Sequence, residues 1–283
     1  MKRHVLKRFI WPAAVIAMLA LVACNKPDTG ISTAPEAGRV AASEPDRSAV
    51  PLDYRVRQLS GVRSSQRGIA GEDIGASLSY PEFGDVALDG QIENWIASRC
   101  PADRDSISTA TPEGCMNQVL DDCLMAATSA AESEPFRCTF GVKVDVILNE
   151  RGLLSLAYVA SRHSSVAASQ SELRYFNYDV ENRQTLQIGD LINRVPELDE
   201  RLSSGLRKQH GLQPNQSLAD AGFFRTEVSA PGDVLIESQG LRFAWQSREI
   251  GPSSLGEPTL LLPWGAVEDL MTAASPARRL IEP

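Results

Sequence analysis

The sequence is poor in histidine and in recognisable catalytic motifs. Its 283 residues include three histidines, His4, His163 and His210, and five cysteines. So few imidazole groups exclude a histidine-rich metal centre, and we expect neither a metal nor a cofactor. The sequence contains no Gly-x-Ser-x-Gly, Ser-x-x-Lys, His-Glu-x-x-His or glycine-rich phosphate-binding motif. We therefore expect a protein that is not an enzyme.

The sequence also lacks an excess of positive charge. It has 28 lysine and arginine residues against 36 aspartate and glutamate residues, which gives a net charge of −8. A nucleic-acid partner is excluded, because phosphate backbones are bound by clustered basic residues. Hydrophobic residues make up 43% of the chain, which is enough to bury a sizeable core in one large domain or two modest ones.

One long apolar run is present, and it lies at the amino terminus. Four basic residues among the first eight are followed by an almost wholly apolar run from Ile10 to Val22, and Leu21-Val22-Ala23-Cys24 matches the bacterial lipobox. Residues 1–23 are therefore predicted to be a lipoprotein signal peptide, cleaved before Cys24. Fatty acyl chains such as palmitate on Cys24 would anchor the protein to a membrane.

The position after the lipidated cysteine indicates which membrane. Asn25 stands where an aspartate would retain the protein at the inner membrane, so we expect the outer membrane, with the protein facing the periplasm. Residues 1–23 contain four basic and no acidic residues. The mature chain would then have 24 basic against 36 acidic residues, a net charge of −12.

The mature chain divides by composition into a tether and a folded body. Residues 24–50 are rich in Pro, Ala, Ser, Thr and Gly, which favours a flexible tether. Alternation with a period of two predicts a hairpin over 136–148 and 153–160, and helical spacing predicts helices over 86–98, 114–131, 196–210 and 265–273. This mixture predicts an α+β fold with a mixed or antiparallel sheet, in two halves, 51–162 and 163–283.

Four cysteines remain once Cys24 carries lipid. An even number in an exported chain indicates two disulfides, because the 15-, 8- and 15-residue spacings between Cys100, Cys115, Cys123 and Cys138 lack the paired pattern of a zinc site. If Cys115 and Cys123 share a helix, about 12 Å separates them, which is too far for a disulfide. We favour Cys100–Cys115 with Cys123–Cys138; the alternative is Cys100–Cys123 with Cys115–Cys138.

The carboxyl-terminal part carries a family resemblance. The residues that carry it are a Tyr175-Phe176-Asn177-Tyr178-Asp179 strand, the segment 186–191, Phe223-Phe224, the hairpin 234–245, Glu249-Ile250-Gly251-Pro252 and Leu261-Leu262-Pro263-Trp264. In this order they resemble the RsiV-like, DUF3298-type family, which occurs in a lysozyme-sensing anti-sigma protein and in bacterial lipoproteins. Ser79-Tyr80-Pro81 and the helix that follows resemble a second, small domain. In the anti-sigma protein and in peptidoglycan deacetylases, this small domain precedes the DUF3298-type domain.

The resemblance implies a non-catalytic binding module whose partner is a lysozyme-like hydrolase or peptidoglycan. The family commonly has a Gly-Gly-Ala-His-type loop where this chain has residues 164–170, so a role tied to that loop is not carried over, and no anti-sigma role is expected. We hypothesise that the acidic chain binds a basic hydrolase through its charge. Binding is predicted at two loops, 161–170 and 248–258, with Arg162, His163, Ser164, Arg248, Glu249 and Glu257 as candidate contacts.

Two other functions stay open. One is a small envelope hydrolase that uses His163, which is flanked by serines. The other is a structural envelope lipoprotein without a small ligand. Trp245 and Trp264 could stack on sugar rings, although packing in the core is the favoured role for both.

Overall fold

The computed structural model describes residues 50–65, 73–101, 111–130, 135–193 and 195–281. The predicted signal peptide, Cys24 and all of the predicted tether except residue 50 lie outside these ranges. Within them, nine strands and four α-helices are interleaved along the chain, so the predicted α+β class is confirmed. None of the helices in these ranges is long and apolar enough to cross a membrane.

Six strands form the larger sheet, and they lie side by side in the order of the sequence. They are β1 (Arg55–Arg63), β2 (Asp73–Glu82), β3 (Arg137–Glu150), β4 (Leu153–Ser164), β5 (Ala167–Asp179) and β6 (Gln184–Leu186). All neighbours are antiparallel except β2 and β3, which are parallel. A parallel pair requires a crossover connection, and two helices provide it.

These helices are α1 (Val86–Ala97) and α2 (Pro112–Ser129). Asp85 caps α1 by accepting hydrogen bonds from two backbone amides, and Pro112 occupies the first turn of α2, where a missing N–H costs nothing. Both helices pack on one face of the larger sheet. Because side chains alternate along a strand, this face receives the even-numbered residues, among them Leu78, Phe140 and Tyr158, which are all buried.

A second sheet covers part of the opposite face. It consists of β7 (Asp233–Glu237), β8 (Gly240–Ala244) and β9 (Thr259–Pro263). The odd-numbered Tyr175 of β5 packs there against Leu235 and Ala244. Between β6 and β7 the chain forms α3 (Ile188–Leu191) and α4 (Val195–Gln209). Leucines four residues apart on α4 are fully buried in the core that it shares with β9; they are Leu198, Leu202 and Leu206.

Two disulfides join the crossover helices to their surroundings. Cys100 pairs with Cys115 and Cys123 pairs with Cys138, with Cα–Cα distances of 5.6 and 5.9 Å. Cys115 and Cys123 both lie on α2, which is the condition that excludes a bond between them. The structure therefore has the first of the two predicted connectivities.

One predicted helix is wrong. Residues 265–273 form two separate 3₁₀ turns, Trp264–Ala266 and Glu268–Leu270, instead of an α-helix. The turns are separated at Val267, whose φ of −134° is not helical and whose side chain is fully buried. Residues 162 and 163, the predicted boundary between the two halves, are consecutive in β4, and the division of the chain into those halves stays a prediction.

Candidate ligand-binding cleft

Residues 161–170, predicted as a loop, form the ends of two strands. β4 continues to Ser164, β5 begins at Ala167, and only a two-residue turn separates them. The sequence here is polar and has no hydrophobic alternation, so the prediction of a loop is wrong. The segment is a strand because its backbone pairs on both sides: Ser164 lies opposite Cys138 of β3 and Ala167 of β5.

This hairpin and residues 246–256 together form the walls of a cleft of about 580 Å³ on the helix-covered side of the larger sheet. We call it the arginine cleft. Its floor is Phe140, Tyr158 and Ala160, and four arginines line it: Arg99, Arg162, Arg174 and Arg248. The cleft thus lies between the two segments that the sequence analysis selected. Its volume is within the usual range for pockets that bind small molecules.

Direct contacts hold residues 246–257 against β5. The side-chain amide of Gln246 donates a 2.5 Å hydrogen bond to the carbonyl oxygen of Leu173. The Ser171 hydroxyl donates to Glu257 Oε1 at 2.8 Å, and Glu249 Oε2 accepts from the backbone N–H of Gln246 at 2.7 Å. Together these bonds fix the wall that carries Arg248.

The four arginines differ in their charge partners. Arg174 is held by Glu172 at 2.7 Å and by Asp233 at 2.6 Å. Burial alone would lower the pKa of the Arg174 guanidinium, but its two carboxylate partners outweigh that effect and raise the pKa. Arg99, Arg162 and Arg248 make no salt bridge with any described residue. The positive charge of these three arginines is therefore available to a ligand.

Tyr158 supplies a hydroxyl at the floor. Burial, with the nearby charge of Glu172, raises the pKa of the Tyr158 phenol well above its usual range, so the group stays protonated at physiological pH and can donate a hydrogen bond. Arg99 opposes this shift through its charge. Charged donors and a neutral donor thus point to an acceptor-rich, anionic ligand.

The other predicted contacts lie outside the cleft lining. His163 is exposed, and its Nδ1 is 2.8 Å from the Ser169 hydroxyl oxygen; on a strand it points to the face opposite Arg162. Ser164 accepts a hydrogen bond from the N–H of Val166. Glu249 and Glu257 have the structural contacts given above. Among the described residues, no three His, Cys, Asp or Glu side chains are arranged to hold a metal ion.

Two residues of the cleft lining, Arg99 and Arg174, were not among the predicted contacts. A signal for Arg99 was present, because it lies four residues after Trp95 in the predicted helix pattern and so continues the same face. Arg174 continues the alternation of Phe176 and Tyr178 on β5, so the pattern also placed it on their face of the strand. It enters the cleft because this face of β5 is the one that faces the helices.

Crystal structures of two bacterial proteins share this fold. A DUF3298 family member from Bacteroides fragilis NCTC 9343 superposes with a TM-score of 0.66 and 14% identity, covering 82% of this chain and 98% of that chain. A DUF3298 family protein from Pseudomonas aeruginosa PAO1 superposes with a TM-score of 0.61 and 14% identity, covering 80% and 97%. No protein-family model and no curated protein sequence matches this chain.

The chain therefore has the fold of DUF3298-type proteins, and the predicted resemblance is confirmed at that level. With 14% identity, the likeness concerns the fold and assigns no ligand. The small domain expected to precede the DUF3298-type part stays a prediction.

Proposed function

We propose that this protein is a non-catalytic binding module of the bacterial cell envelope and that the arginine cleft binds peptidoglycan through its carboxylates. The observation that carries the proposal is the presence of Arg99, Arg162 and Arg248 without carboxylate partners among the described residues. Although acidic residues outnumber basic ones in the chain, these three arginines lie together in one cleft, where their charges would favour an anion. Peptidoglycan offers carboxylates on its stem peptides and, where a stem peptide has been removed, on the lactyl group of N-acetylmuramic acid.

The proposed location is the periplasmic side of the outer membrane, reached through a lipid on Cys24. The signal-peptide pattern and Asn25 support it. The two disulfides also support it, because disulfides persist in oxidising compartments such as the periplasm. Mass spectrometry of the mature amino terminus tests this location, and an unmodified residue 1 in the soluble extract would contradict it.

A basic, lysozyme-like hydrolase is the second candidate partner. It would not fit the arginine cleft, since like charges repel, but one acidic surface suits it. Glu197 and Glu200 are exposed on α4 beside Arg201, which is itself paired with Asp269 at 2.7 Å. Pull-down with lysozyme at low and high salt tests this partner, and no retention at low salt would remove it.

The enzymatic alternative depends on His163. The His163–Ser169 contact has the distance of a nucleophile–base pair, but no carboxylate of the described residues bonds to this histidine to orient its ring. A screen of generic ester and glycan substrates against the wild type and His163→Ala tests the alternative. Loss of a measurable activity in the variant would establish it in place of the binding module.

The main experiment measures retention of the mature protein on purified, insoluble peptidoglycan. The double variant R162A/R248A removes two unpaired arginines of the cleft. Arg225→Ala is the matched control, because Arg225 is also exposed and makes no salt bridge with described residues, but it lines a different groove. We expect affinity to fall at least tenfold in the double variant, about 1.4 kcal/mol, and to fall with salt in the wild type. Equal retention of all three proteins would refute the proposal.

A further inference from the structure

A second cleft, of about 540 Å³, adjoins the arginine cleft. Arg99 lines both clefts. The Arg174–Asp233 ion pair lies between them, with Arg174 in the lining of the arginine cleft and Asp233 in the lining of the second cleft. The two clefts are therefore adjacent and share Arg99 at their boundary. We call the second one the tryptophan cleft, because Trp95 of α1 lines it.

Residues on one face of α1 form a wall of this cleft. Gln91, Asn94 and Trp95 are three and four residues apart on α1, and Arg99 follows one turn later. The Trp95 ring is partly exposed. Two aromatic neighbours hold it in place: Tyr158, edge-on at 5.7 Å between ring centroids, and Phe176, tilted at 5.3 Å. A rigid aromatic ring at a cleft wall is suited to contact the apolar face of a ring-shaped ligand.

Trp95 differs from the other two described tryptophans. Trp245 and Trp264 are 1% and 9% exposed, and their indole N–H groups donate to the carbonyl oxygens of Ser229 and Ser238. Their predicted place in the core is thus confirmed. The Trp95 indole N–H makes no hydrogen bond to any described residue, so both its ring and its donor remain for a ligand.

Apart from Arg99 and the ion-paired Asp233, which lie where the two clefts adjoin, the polar side chains of the tryptophan cleft are neutral amides and hydroxyls. Asn94 is exposed, and its side chain makes no hydrogen bond to a described residue; Thr185 also lines the cleft. Asn177 has a structural role, because it bonds Ser155, the Val234 carbonyl oxygen and the Ile236 N–H. Such a lining provides donors and acceptors without net charge, which is what hydroxyl and acetamido groups require.

Arg99 connects the neutral cleft to the charged one. Its Nε is buried and makes no hydrogen bond to any described residue. Leaving a buried donor without an acceptor is unfavourable, and an acceptor at the junction of the clefts would satisfy it. The ligand that fits has a neutral ring on one side of Arg99 and an anionic group on the other.

From this arrangement we infer that the ligand is a glycan strand of N-acetylated sugars from which stem peptides have been removed, so that its lactyl carboxylates are free, with a sugar ring on Trp95 and a carboxylate at Arg99, Arg162 and Arg248. This inference rests on the proposed function and narrows it: the glycan of peptidoglycan is bound, and the stem peptide is not required. The two clefts form one binding site of mixed character.

NMR of the indole groups tests the inference directly. The mature protein has three tryptophans, because Trp11 lies in the predicted signal peptide. Three probes are titrated into it: the disaccharide of N-acetylglucosamine and N-acetylmuramic acid, neutral tri-N-acetylchitotriose, and the free stem pentapeptide. We expect the disaccharide to shift one indole signal, assigned to Trp95 with the variant Trp95→Phe, and to leave the other two unmoved. The neutral sugar should shift the same signal but bind at least tenfold more weakly.

Variants separate this inference from the proposed function. Trp95→Ala should weaken disaccharide binding about tenfold, whereas Phe224→Ala, which removes an exposed aromatic ring from another groove, should not change it. Asn94→Ala gives an exposed second variant in case Trp95→Ala fails to fold. If only the pentapeptide binds, or if the disaccharide binds without shifting Trp95, the glycan inference is wrong and the proposed function survives. If neither the probes nor intact peptidoglycan bind, both are wrong.

Discussion

Replacing Asp179 by Asn should destabilise the fold markedly. The Asp179 carboxylate is fully buried at the end of β5 and pairs with Arg279 at 2.8 Å. It also accepts hydrogen bonds from the backbone N–H of Glu181 at 3.1 Å and from the side-chain amide of Asn182 at 2.7 Å. These contacts join the end of the larger sheet to the last 3₁₀ turn, Pro276–Leu280. The asparagine side chain has the same shape as aspartate but no charge. Its NH₂ group would face these donors and could not accept hydrogen bonds from them.

The expected loss in the free energy of unfolding is about 3 kcal/mol. Removing one member of a buried ion pair typically costs about 3–5 kcal/mol, and Asn keeps part of the hydrogen bonding. Burial would raise the pKa of the Asp179 carboxyl, but the hydrogen bonds and charge of Arg279 and the hydrogen bonds of Asn182 outweigh it and lower the pKa. Because the folded pKa is depressed, the contribution is fully present above the unfolded value, about 3.9, and is lost as pH falls through the folded value.

Urea denaturation of the wild type and D179N from pH 7 down to pH 3 measures the free energy of unfolding of both proteins. The difference between the two free energies should be constant down to about pH 5 and shrink below about pH 4. Asp145→Asn is the matched control, because Asp145 lies in the same sheet in an exposed pair with Lys143, and exposed pairs contribute about 0–1 kcal/mol. A D179N protein as stable as D145N at pH 7, or a difference in the free energy of unfolding that does not change with pH, would show that the buried ion pair does not contribute as described.

Two further predictions concern the backbone and the disulfides. A Cβ atom at Gly240 would lie 2.0 Å from the carbonyl oxygen of Leu262 in the neighbouring strand, so Gly240→Ala should cost about 3 kcal/mol. Gly265→Ala, with no neighbouring atom within 4 Å, should change stability by less than about 0.5 kcal/mol; equal thermal denaturation of the two variants would contradict this. Removing the Cys123–Cys138 pair as C123A/C138A should lower stability by about 3 kcal/mol, since the closed loop spans 15 residues. Denaturation with and without reductant checks it, and a reductant effect as large in the double variant as in the wild type would show that this pair does not contribute.

Local periodicity was sufficient to predict most of the elements. The alternation between 136 and 148 predicted β3, and the helical spacing of Leu88, Ile92 and Ile96 predicted α1, because in both cases one face of the element is buried. The predictions failed where burial is not periodic. The mostly polar residues 161–170 form strands because residues 161–164 pair with β3 and residues 167–170 pair with β4. The helix predicted over 265–273 is interrupted at Val267, whose buried side chain belongs to the second core.

Sequence patterns predicted the residues of the candidate site less well than they predicted the helices and strands. Arg162 and Arg248 were predicted as contacts because they lie in segments predicted to be loops, and the structure places both at one cleft. His163, one residue from Arg162, faces the other side of the sheet. Arg99 and Trp95 were not selected, because a helix pattern shows which face is apolar but not which neighbouring element leaves that face partly open.

Composition, periodicity and short motifs were enough to predict the α+β class, two possible disulfide connectivities and export. The packed fold was needed to establish which cysteines pair and which of the described tryptophans remains accessible. It also establishes which arginines of the cleft have no carboxylate beside them. These properties depend on distances between residues far apart in the chain, and such distances exist only once the strands have paired and the helices have packed on them.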